Sequence, residues 1–321
     1  MDDTPSINSA NKFNSESKLN SESKLNSASK FEDASNFEVA HKKLASRWQA
    51  SLILDFTKQD NRSYLAKRQH TGPLVIQKTL HPEGEGVCHG VVVHPPGGVA
   101  GGDELSLKVS LNQNAHALLT TPGAGKWYKA NGQLASQHLK FDVQNGACFE
   151  WLPQENILFD GAQVKFDAEV NLGTDANYAG WEILCFGRQA QNELWQTGYL
   201  HQSLVISRQH KLIWNERTCL NAQQKLMQSI VGLYGNAVSA SFVIAAGLVP
   251  PELIAACREI QPKLALDMRA KYAVTALPEV FSARYVGQSA QSARQYFERL
   301  WQILRPWYAG REVTRPRIWN T

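Results

Sequence analysis

Cysteine is scarce and scattered in this sequence of 321 residues. The five cysteines, at positions 88, 148, 185, 219 and 257, form no Cys-x-x-Cys pair. An odd number of widely spaced cysteines argues against a disulfide framework or a structural zinc site and is typical of reduced thiols in the cytosol. No run of about 18 apolar residues is present, and the N-terminus lacks the apolar segment of a signal peptide. We therefore expect a cytoplasmic protein with no membrane span and no membrane partner.

Charge of either sign is modest as well. The formal net charge is +4, and charged residues make up 19% of the chain. A nucleic-acid-binding surface needs a dense positive stripe, which this composition does not supply, so we expect no nucleic-acid partner. Hydrophobic residues make up 43%, an ordinary share for a globular protein. A chain of this length can bury a large core without disulfide bonds or structural metal ions.

The first 44 residues have little apolar surface to bury. Their large apolar residues recur every six positions: Phe13, Leu19, Leu25, Phe31 and Phe37. Mainly Ser, Asn, Glu and Lys lie between them, and such a composition cannot offset the entropy of ordering. We predict a disordered low-complexity tail at 1–44, followed by a single β-rich domain at 45–321. The alternative is a tail that folds on a partner and uses the spaced Phe and Leu as anchors.

From Trp48 onward, apolar and polar residues alternate. The clearest alternating segments are 51–56, 104–111, 138–143 and 164–170. A period of two with one apolar face is typical of strands that bury one face and expose the other, which favours antiparallel sheets. Asn145-Gly146 lies between two such runs and predicts a hairpin turn. Further strands are expected at 87–93, 115–120, 147–152, 181–186, 199–207, 211–218, 264–270, 273–277 and 281–286.

The last third of the chain adds helical patterns. Two prolines precede a short helix at 252–260, and residues 289–304 carry an apolar stripe at helical spacing. Pro306 is expected to end the second helix. The predicted fold class is therefore mainly β, a large antiparallel β-rich domain with about two α-helices in the C-terminal third.

Two glycine-rich stretches stand out. Residues 94–103, His-Pro-Pro-Gly-Gly-Val-Ala-Gly-Gly-Asp, lie between two predicted strands and must follow a fixed, irregular path. They form either a packed loop or a backbone that closely approaches a partner or a conduit. The stretch 120–127 is similar to a phosphate-binding loop, but Thr120 replaces the first glycine and Trp127 replaces the Ser or Thr that holds magnesium. We therefore predict no nucleotide binding here.

Candidate catalytic and metal-binding residues form no recognised signature. The cysteine and three histidines between positions 88 and 116 match no standard zinc spacing. Glu150, Glu155 and Asp160 lie close in sequence, and carboxylates can serve as acid and base in glycoside hydrolysis. A β-rich hydrolase or carbohydrate-active enzyme that uses these three residues is therefore one open function. A simple metal buffer is another.

The order of the motifs resembles that of the urease accessory protein UreD family, also called UreH. The matching segments are 94–103, 119–128, 150–155 with 159–162, 181–188 and 316–319. Residues 48–52 and 72–74 agree at the N-terminal end of the match. The resemblance covers about residues 46–321 and leaves the hexapeptide tail outside.

This resemblance implies a function without catalysis by the chain itself. Family members act as chaperones of nickel insertion that bind apo-urease subunits and a helical UreF-type accessory protein. Through that protein they recruit a UreG-type GTPase, which hydrolyses the GTP. The family fold is mostly β and has been proposed to enclose a path for Ni²⁺. The resemblance therefore implies no tightly bound cofactor, with nickel(II) only in transit, and a protein that is not an enzyme.

The resemblance also implies site residues. An ion in transit must be held weakly, and carboxylates with water suit this better than imidazole or thiolate ligands. Asp103, Glu182 and Glu216 occupy acidic positions of the family motifs and are the expected path-lining residues. The motif loops contribute His94, Pro95, Pro96, Gly97, Gly98, Gly101, Gly102, Thr121, Pro122, Gly123, Lys126, Glu150, Trp151, Pro153, Gln154 and Glu155. The family often has Ser or Thr where this chain has Gly125, so a hydroxyl there is not expected to be essential.

Overall fold

The computed structural model describes residues 48–261, 267–268 and 270–320. The predicted tail at 1–44 lies outside these residues, and so does most of the strand expected at 264–270. The described strands are β1 (Gln49–Gln59), β2 (Arg62–Thr71), β3 (Val75–Ile76), β4 (Cys88–Val93), β5 (Glu104–Leu111), β6 (His116–Thr120), β7 (Gly125–Trp127), β8 (Ala135–Val143), β9 (Cys148–Trp151), β10 (Asn156–Leu158), β11 (Gln163–Leu172), β12 (Asn177–Phe186), β13 (Tyr199–Arg208), β14 (Lys211–Asn221), β15 (Val238–Ala245), β16 (Lys271–Ala276) and β17 (Val280–Gly287). The described helices are α1 (Pro251–Glu259) and α2 (Ala290–Ala309).

Two sheets contain the described strands. One has seven strands in the order β14-β13-β11-β8-β5-β1-β2. The other has ten, in the order β16-β17-β15-β12-β9-β6-β4-β3, with β10 and β7 as a branch beside β12. The fold is therefore mostly β, with its two described helices in the C-terminal part, as the sequence predicts.

The expectation of an antiparallel β domain is wrong for the centre of both sheets. β1, β5, β8, β11 and β13 are parallel neighbours, and so are β4, β6, β9 and β12. The chain visits the two sheets in turn, so each return to a sheet brings a strand in the same direction. Antiparallel pairs join β1 to β2, β13 to β14, and β12 to β15 and β17 in succession.

The alternating sequence pattern identifies the buried face although it does not reveal strand direction. Parallel sheets usually have helices on both faces and therefore read as continuous apolar runs. Here each crossover is a strand of the other sheet, so the outer face of the seven-stranded sheet can remain in water. In β5, Leu105, Leu107 and Val109 are buried between the sheets, whereas Lys108 is exposed.

Asn145-Gly146 does not form the predicted hairpin. β8 before it belongs to the seven-stranded sheet and β9 after it to the ten-stranded sheet. Gly146 has a φ of +67°, a left-handed conformation that is easy for glycine, and the turn carries the chain from one sheet to the other. A tight hairpin lies instead between β13 and β14, where Gln209 and His210 both have positive φ.

Helix α2 covers the outer face of the ten-stranded sheet and forms a second core there. Its predicted apolar stripe is confirmed, since Phe297, Leu300 and Trp301 are fully buried in this core. The helix begins where Ser289 Oγ accepts a 3.1 Å hydrogen bond from the backbone N–H of Ser292. Pro306 does not end it; the helix continues to Ala309.

Candidate functional site

A cavity of about 290 Å³ lies between the two sheets. Most residues of the predicted motif loops line it: His94, Pro95, Gly97, Gly98, Thr121, Pro122, Gly123, Lys126, Trp151, Pro153 and Gln154. Two of the three predicted acidic residues, Glu182 and Glu216, line it as well. Motifs that are far apart in the sequence therefore share one cavity.

The other predicted site residues lie outside this lining: Pro96, Gly101, Gly102, Asp103, Glu150 and Glu155. Asp103 Oδ2 accepts a 2.9 Å hydrogen bond from the backbone N–H of Ala100, and its Oδ1 accepts a 3.2 Å bond from that of Trp48. Asp103 thus ties the glycine-rich loop to the start of β1. It also acts on His94, which does line the cavity: burial lowers the pKa of His94, and the Asp103 carboxylate opposes that shift.

Polar side chains interrupt the inner, apolar rows of two neighbouring strands in each sheet at the cavity. In β13, Gln202 stands in the inner row between the buried Leu200 and the partly buried Leu204. Glu182 of β12, Glu216 of β14 and Ser241 of β15 occupy similar inner positions. Because side chains alternate along a strand, these four residues project into the space between the sheets.

Glu182 is held by amide groups from two different strands. Asn156 Nδ2 of β10 donates a 3.4 Å hydrogen bond to Glu182 Oε1, and Gln202 Nε2 of β13 donates to Glu182 Oε2. Burial raises the pKa of Glu182 to about 7, with a further contribution from the Glu216 charge, while the two amide hydrogen bonds lower it. The carboxyl group therefore exchanges its proton near neutral pH, unlike an exposed glutamate.

Glu216 combines one paired and one unpaired carboxylate oxygen. Its Oε1 lies 2.6 Å from Arg284 Nη1 of β17, across the gap between the sheets. Its Oε2 is buried and has no hydrogen-bond partner within the described part of the chain. A buried carboxylate oxygen without a partner is costly, so a cation or water in the cavity would stabilise it.

Asn156 also connects this site to the second glycine-rich stretch. Trp127 Nε1 donates a 2.9 Å hydrogen bond to Asn156 Oδ1, and this fixes the amide so that its Nδ2 points at Glu182. A side chain at Gly125 would run into Asn156 Oδ1. Glycine at this position therefore leaves the amide free to hold Glu182. The stretch forms a short strand, β7, rather than the helix start of a phosphate-binding loop.

Glu150 belongs to a different, fully buried network. Its carboxylate accepts hydrogen bonds from Trp301 Nε1 and Tyr308 Oη, both at 2.8 Å, and lies 2.8 Å from His116 Nε2. Arg305 Nη2 donates to it at 2.9 Å. Burial raises the pKa of Glu150, but Arg305 and His116 outweigh burial and hold that pKa well below its usual range. These contacts fasten α2 to β9.

The three carboxylates of the hydrolase alternative do not form a common site. Glu150 is enclosed by the network described above, and Glu155 forms an ion pair with Arg294 of α2. Asp160 Oδ1 accepts hydrogen bonds from the backbone N–H groups of Gln196 and Thr197, at 2.8 and 2.7 Å. Each carboxylate has its own structural partners, so the structure does not support a hydrolase that uses them.

The walls of the cavity carry side chains that can act as cation ligands. Among the described residues, no three His, Cys, Asp or Glu side chains converge on a point where they could hold a metal ion. The residues that line the cavity include three with carboxylates, Asp167, Glu182 and Glu216, and the imidazole of His94. Hard oxygen donors of this kind bind a divalent cation, but without a closed set of ligands they release it easily.

Four residues of the site are missed by the sequence reasoning. Gln202 and Ser241 are polar residues at inner positions of alternating strands, which is a signal that could have found them. Asn156 directly follows the predicted motif at 150–155. Arg284 lies in a predicted strand, and nothing in the sequence connects it to Glu216, 68 residues earlier by their numbering.

The sequence of this chain is similar to those of known proteins from one family. A sequence model of the family described as "UreD urease accessory protein" matches residues 49–320. The urease accessory protein UreD of Methylobacillus flagellatus is 56% identical over 275 residues, which cover 86% of this chain and 95% of the relative. The UreD proteins of Dechloromonas aromatica and of an Azoarcus species are 43% and 44% identical, and each match covers 85% of this chain. Within the described residues, no helix combines the length and apolarity needed to cross a membrane.

Proposed function

The chain belongs to the UreD family of urease accessory proteins, and we propose that it acts in urease maturation as a scaffold that offers Ni²⁺ a weakly coordinating path between its two sheets. One observation carries this proposal: the glycine-rich loops and the acidic residues Glu182 and Glu216 line the same cavity. Asp103 is part of this proposal through His94, a residue of the cavity lining whose pKa the Asp103 carboxylate raises against the effect of burial.

The chemistry of the two carboxylates supports transfer rather than storage. Glu182 shares its carboxylate between a proton and any cation near neutral pH, because burial raises its pKa to about 7. Glu216 presents one free oxygen to the cavity while its other oxygen is held by Arg284. Neither group can hold Ni²⁺ tightly, and an ion can therefore pass from one set of donors to the next.

The proposed partners follow from membership of the family. We propose that the chain binds apo-urease subunits and a UreF-type protein directly, and a UreG-type GTPase through the UreF-type protein, in the cytoplasm. GTP hydrolysis belongs to the GTPase in this proposal. The strand conformation of Gly125–Trp127 supports that assignment, since it offers no helix N-terminus to a phosphate group.

A side chain that fills the cavity tests the path directly. Ser241→Phe places a ring among the cavity residues, whereas Ser110→Phe makes the same change at a partly buried position on the outer face of β5, away from the cavity. After co-expression with urease subunits and the other accessory proteins, we expect both variants to capture the partners. Urease matured with Ser241→Phe should contain little nickel, and urease matured with Ser110→Phe a normal amount. Normal nickel content with a folded Ser241→Phe variant would contradict a path through this cavity.

A further inference from the structure

One positive side chain, Arg284, forms an ion pair with an acidic residue of the cavity wall. Arg284 Nη1 lies 2.6 Å from Glu216 Oε1. The arginine side chain is 49% exposed, whereas the glutamate side chain is 9% exposed. The pair therefore joins a solvated guanidinium to a buried carboxylate.

Strand register places Arg284 on the solvent side of the cavity. Ser241 of β15 pairs with Glu182 of β12 on one side and with Arg284 of β17 on the other. Ser241 and Glu182 line the cavity, and Arg284 lies one strand further out. Glu216 of β14 reaches toward this row from the opposite sheet. Arg284 thus stands where the cavity meets the solvent.

The local charges make the arginine a competitor for any entering cation. Glu216 lies close enough to Glu182 for its charge to raise the pKa of Glu182, in addition to the larger effect of burial. Arg284 forms the ion pair with Glu216, and Glu216 Oε2 has no hydrogen-bond partner in the described part of the chain. A divalent cation that binds both carboxylates must therefore displace the guanidinium from Glu216 or share the carboxylate with it.

We propose that Arg284 is a displaceable latch: it binds Glu216 when no metal is present and turns into solvent when a divalent cation enters between Glu182 and Glu216. This inference rests on the proposed nickel path and adds a residue that regulates it. Because half of the arginine side chain is already exposed to solvent, its displacement does not leave the guanidinium charge buried without a partner. The latch balances the charge of Glu216 in the empty state and lowers the apparent affinity of the cavity for an entering cation.

Ni²⁺ titration of the full-length protein at pH 7.5 tests the latch by isothermal calorimetry. If the guanidinium occupies Glu216 nine times in ten, its removal in Arg284→Gln should tighten Ni²⁺ binding by about tenfold. Arg284→Lys keeps the positive charge, so its affinity for Ni²⁺ should be closer to that of wild type. Arg217→Gln is the matched control, because Arg217 is the next residue after Glu216 and faces the opposite side of β14. It should leave the affinity unchanged.

Glu216→Gln separates failure of the latch from failure of the path. We expect Glu216→Gln to weaken Ni²⁺ binding and to abolish the gain from Arg284→Gln in the double variant. If Glu216→Gln weakens Ni²⁺ binding but Arg284→Gln does not tighten it, Arg284 only links the two sheets. The latch is then wrong, and the proposed nickel path is still supported. If Glu216→Gln leaves binding unchanged in both backgrounds, both the latch and the path through Glu216 are wrong.

A measurement on the wild-type protein does not depend on the folding of any variant. A dicarbonyl reagent modifies accessible guanidinium groups, and mass spectrometry reports the rate at each arginine. Addition of Ni²⁺ should speed the modification of Arg284 and leave that of Arg217 unchanged. Equal rates at Arg284 with and without Ni²⁺, at a concentration where calorimetry shows binding, would overturn the latch.

Discussion

Arg305 Nη2 lies 2.9 Å from Glu150 Oε1, and neither side chain is exposed. The same guanidinium also holds Glu83 at 2.7 Å, so one buried cation joins a loop, a strand and the C-terminal helix. A carboxylate that the sequence offers as a catalytic candidate is therefore a structural anchor.

Removal of Glu150 should destabilise the protein strongly. In Glu150→Ala, Arg305 keeps only Glu83 as a charged partner in a buried position, and breaking a buried pair in this way costs about 3–5 kcal/mol of unfolding free energy. Urea denaturation followed by circular dichroism measures this cost. Lys140→Gln breaks an ion pair whose side chains are about half exposed and should cost less than about 1 kcal/mol. Equal costs for the two variants would contradict the anchoring role.

Glu182 should lower stability at alkaline pH and not in acid. Its pKa is about 7 in the folded protein and about 4.3 in the unfolded chain, so the folded state binds its proton more tightly. Stability is lost as pH rises from the lower value through the higher one. Glu182→Gln should therefore raise the unfolding free energy at pH 8 by about 1–3 kcal/mol and change it little near pH 4. A variant that is less stable than wild type at pH 8 would contradict the buried, proton-sharing environment.

The sequence predicts buried faces better than strand partners. The inner face of β5 is identified by Leu105, Leu107 and Val109, because the alternation of apolar and polar residues depends only on which face of the strand is exposed to solvent. Strand direction depends on which sheet the chain enters next, and no local pattern encodes this. The turn at Asn145-Gly146 illustrates the point, because the same left-handed glycine serves a hairpin or a step between sheets.

For the candidate site, too, the sequence predicts some residues and does not reveal their partners. Resemblance to the family identifies Glu182 and Glu216, and the structure places both at one cavity. Their partners Gln202 and Arg284 come from other strands through long-range register, which the sequence does not reveal. Asp103 was expected on the path; the structure places its carboxylate on backbone N–H groups outside the lining, and its role in nickel transfer stays a prediction.

Asp103→Ala separates a positioning role from a transfer role. Loss of the acceptor for the Ala100 and Trp48 N–H groups should cost about 1–2 kcal/mol, less than a buried pair because both bonds are exposed. We expect a lower melting temperature and a nickel content of urease that falls only with the amount of folded protein. Asp103→Asn retains a hydrogen-bond acceptor, so its melting temperature should lie between those of Asp103→Ala and wild type. A normally stable Asp103→Ala variant that yields nickel-poor urease would assign Asp103 to the path itself.

Cys219 should be the thiol that reacts in the native protein. It is the exposed one among the five free cysteines, and its Sγ lies 3.3 Å from His201 Nδ1 on the outer face of the seven-stranded sheet. Burial raises the pKa of Cys185 and Cys257 to about 12, which leaves those thiols protonated and unreactive. Alkylation followed by mass spectrometry should label Cys219 quickly and the four buried cysteines only after denaturation. Rapid labelling of a buried cysteine would show that its part of the core opens readily.

The nickel content of urease matured with altered carboxylates tests the central claim most directly. Urease subunits and the other accessory proteins are co-expressed with wild type, Glu182→Gln, Glu216→Gln, the double variant, or Glu169→Gln as an outer-face control. Metal analysis of the captured urease then reports nickel per active site. The account predicts normal partner capture throughout, normal nickel with Glu169→Gln, reduced nickel with each single variant and nearly nickel-free urease with the double variant. Full nickel loading by a folded double variant would contradict a nickel path between the sheets.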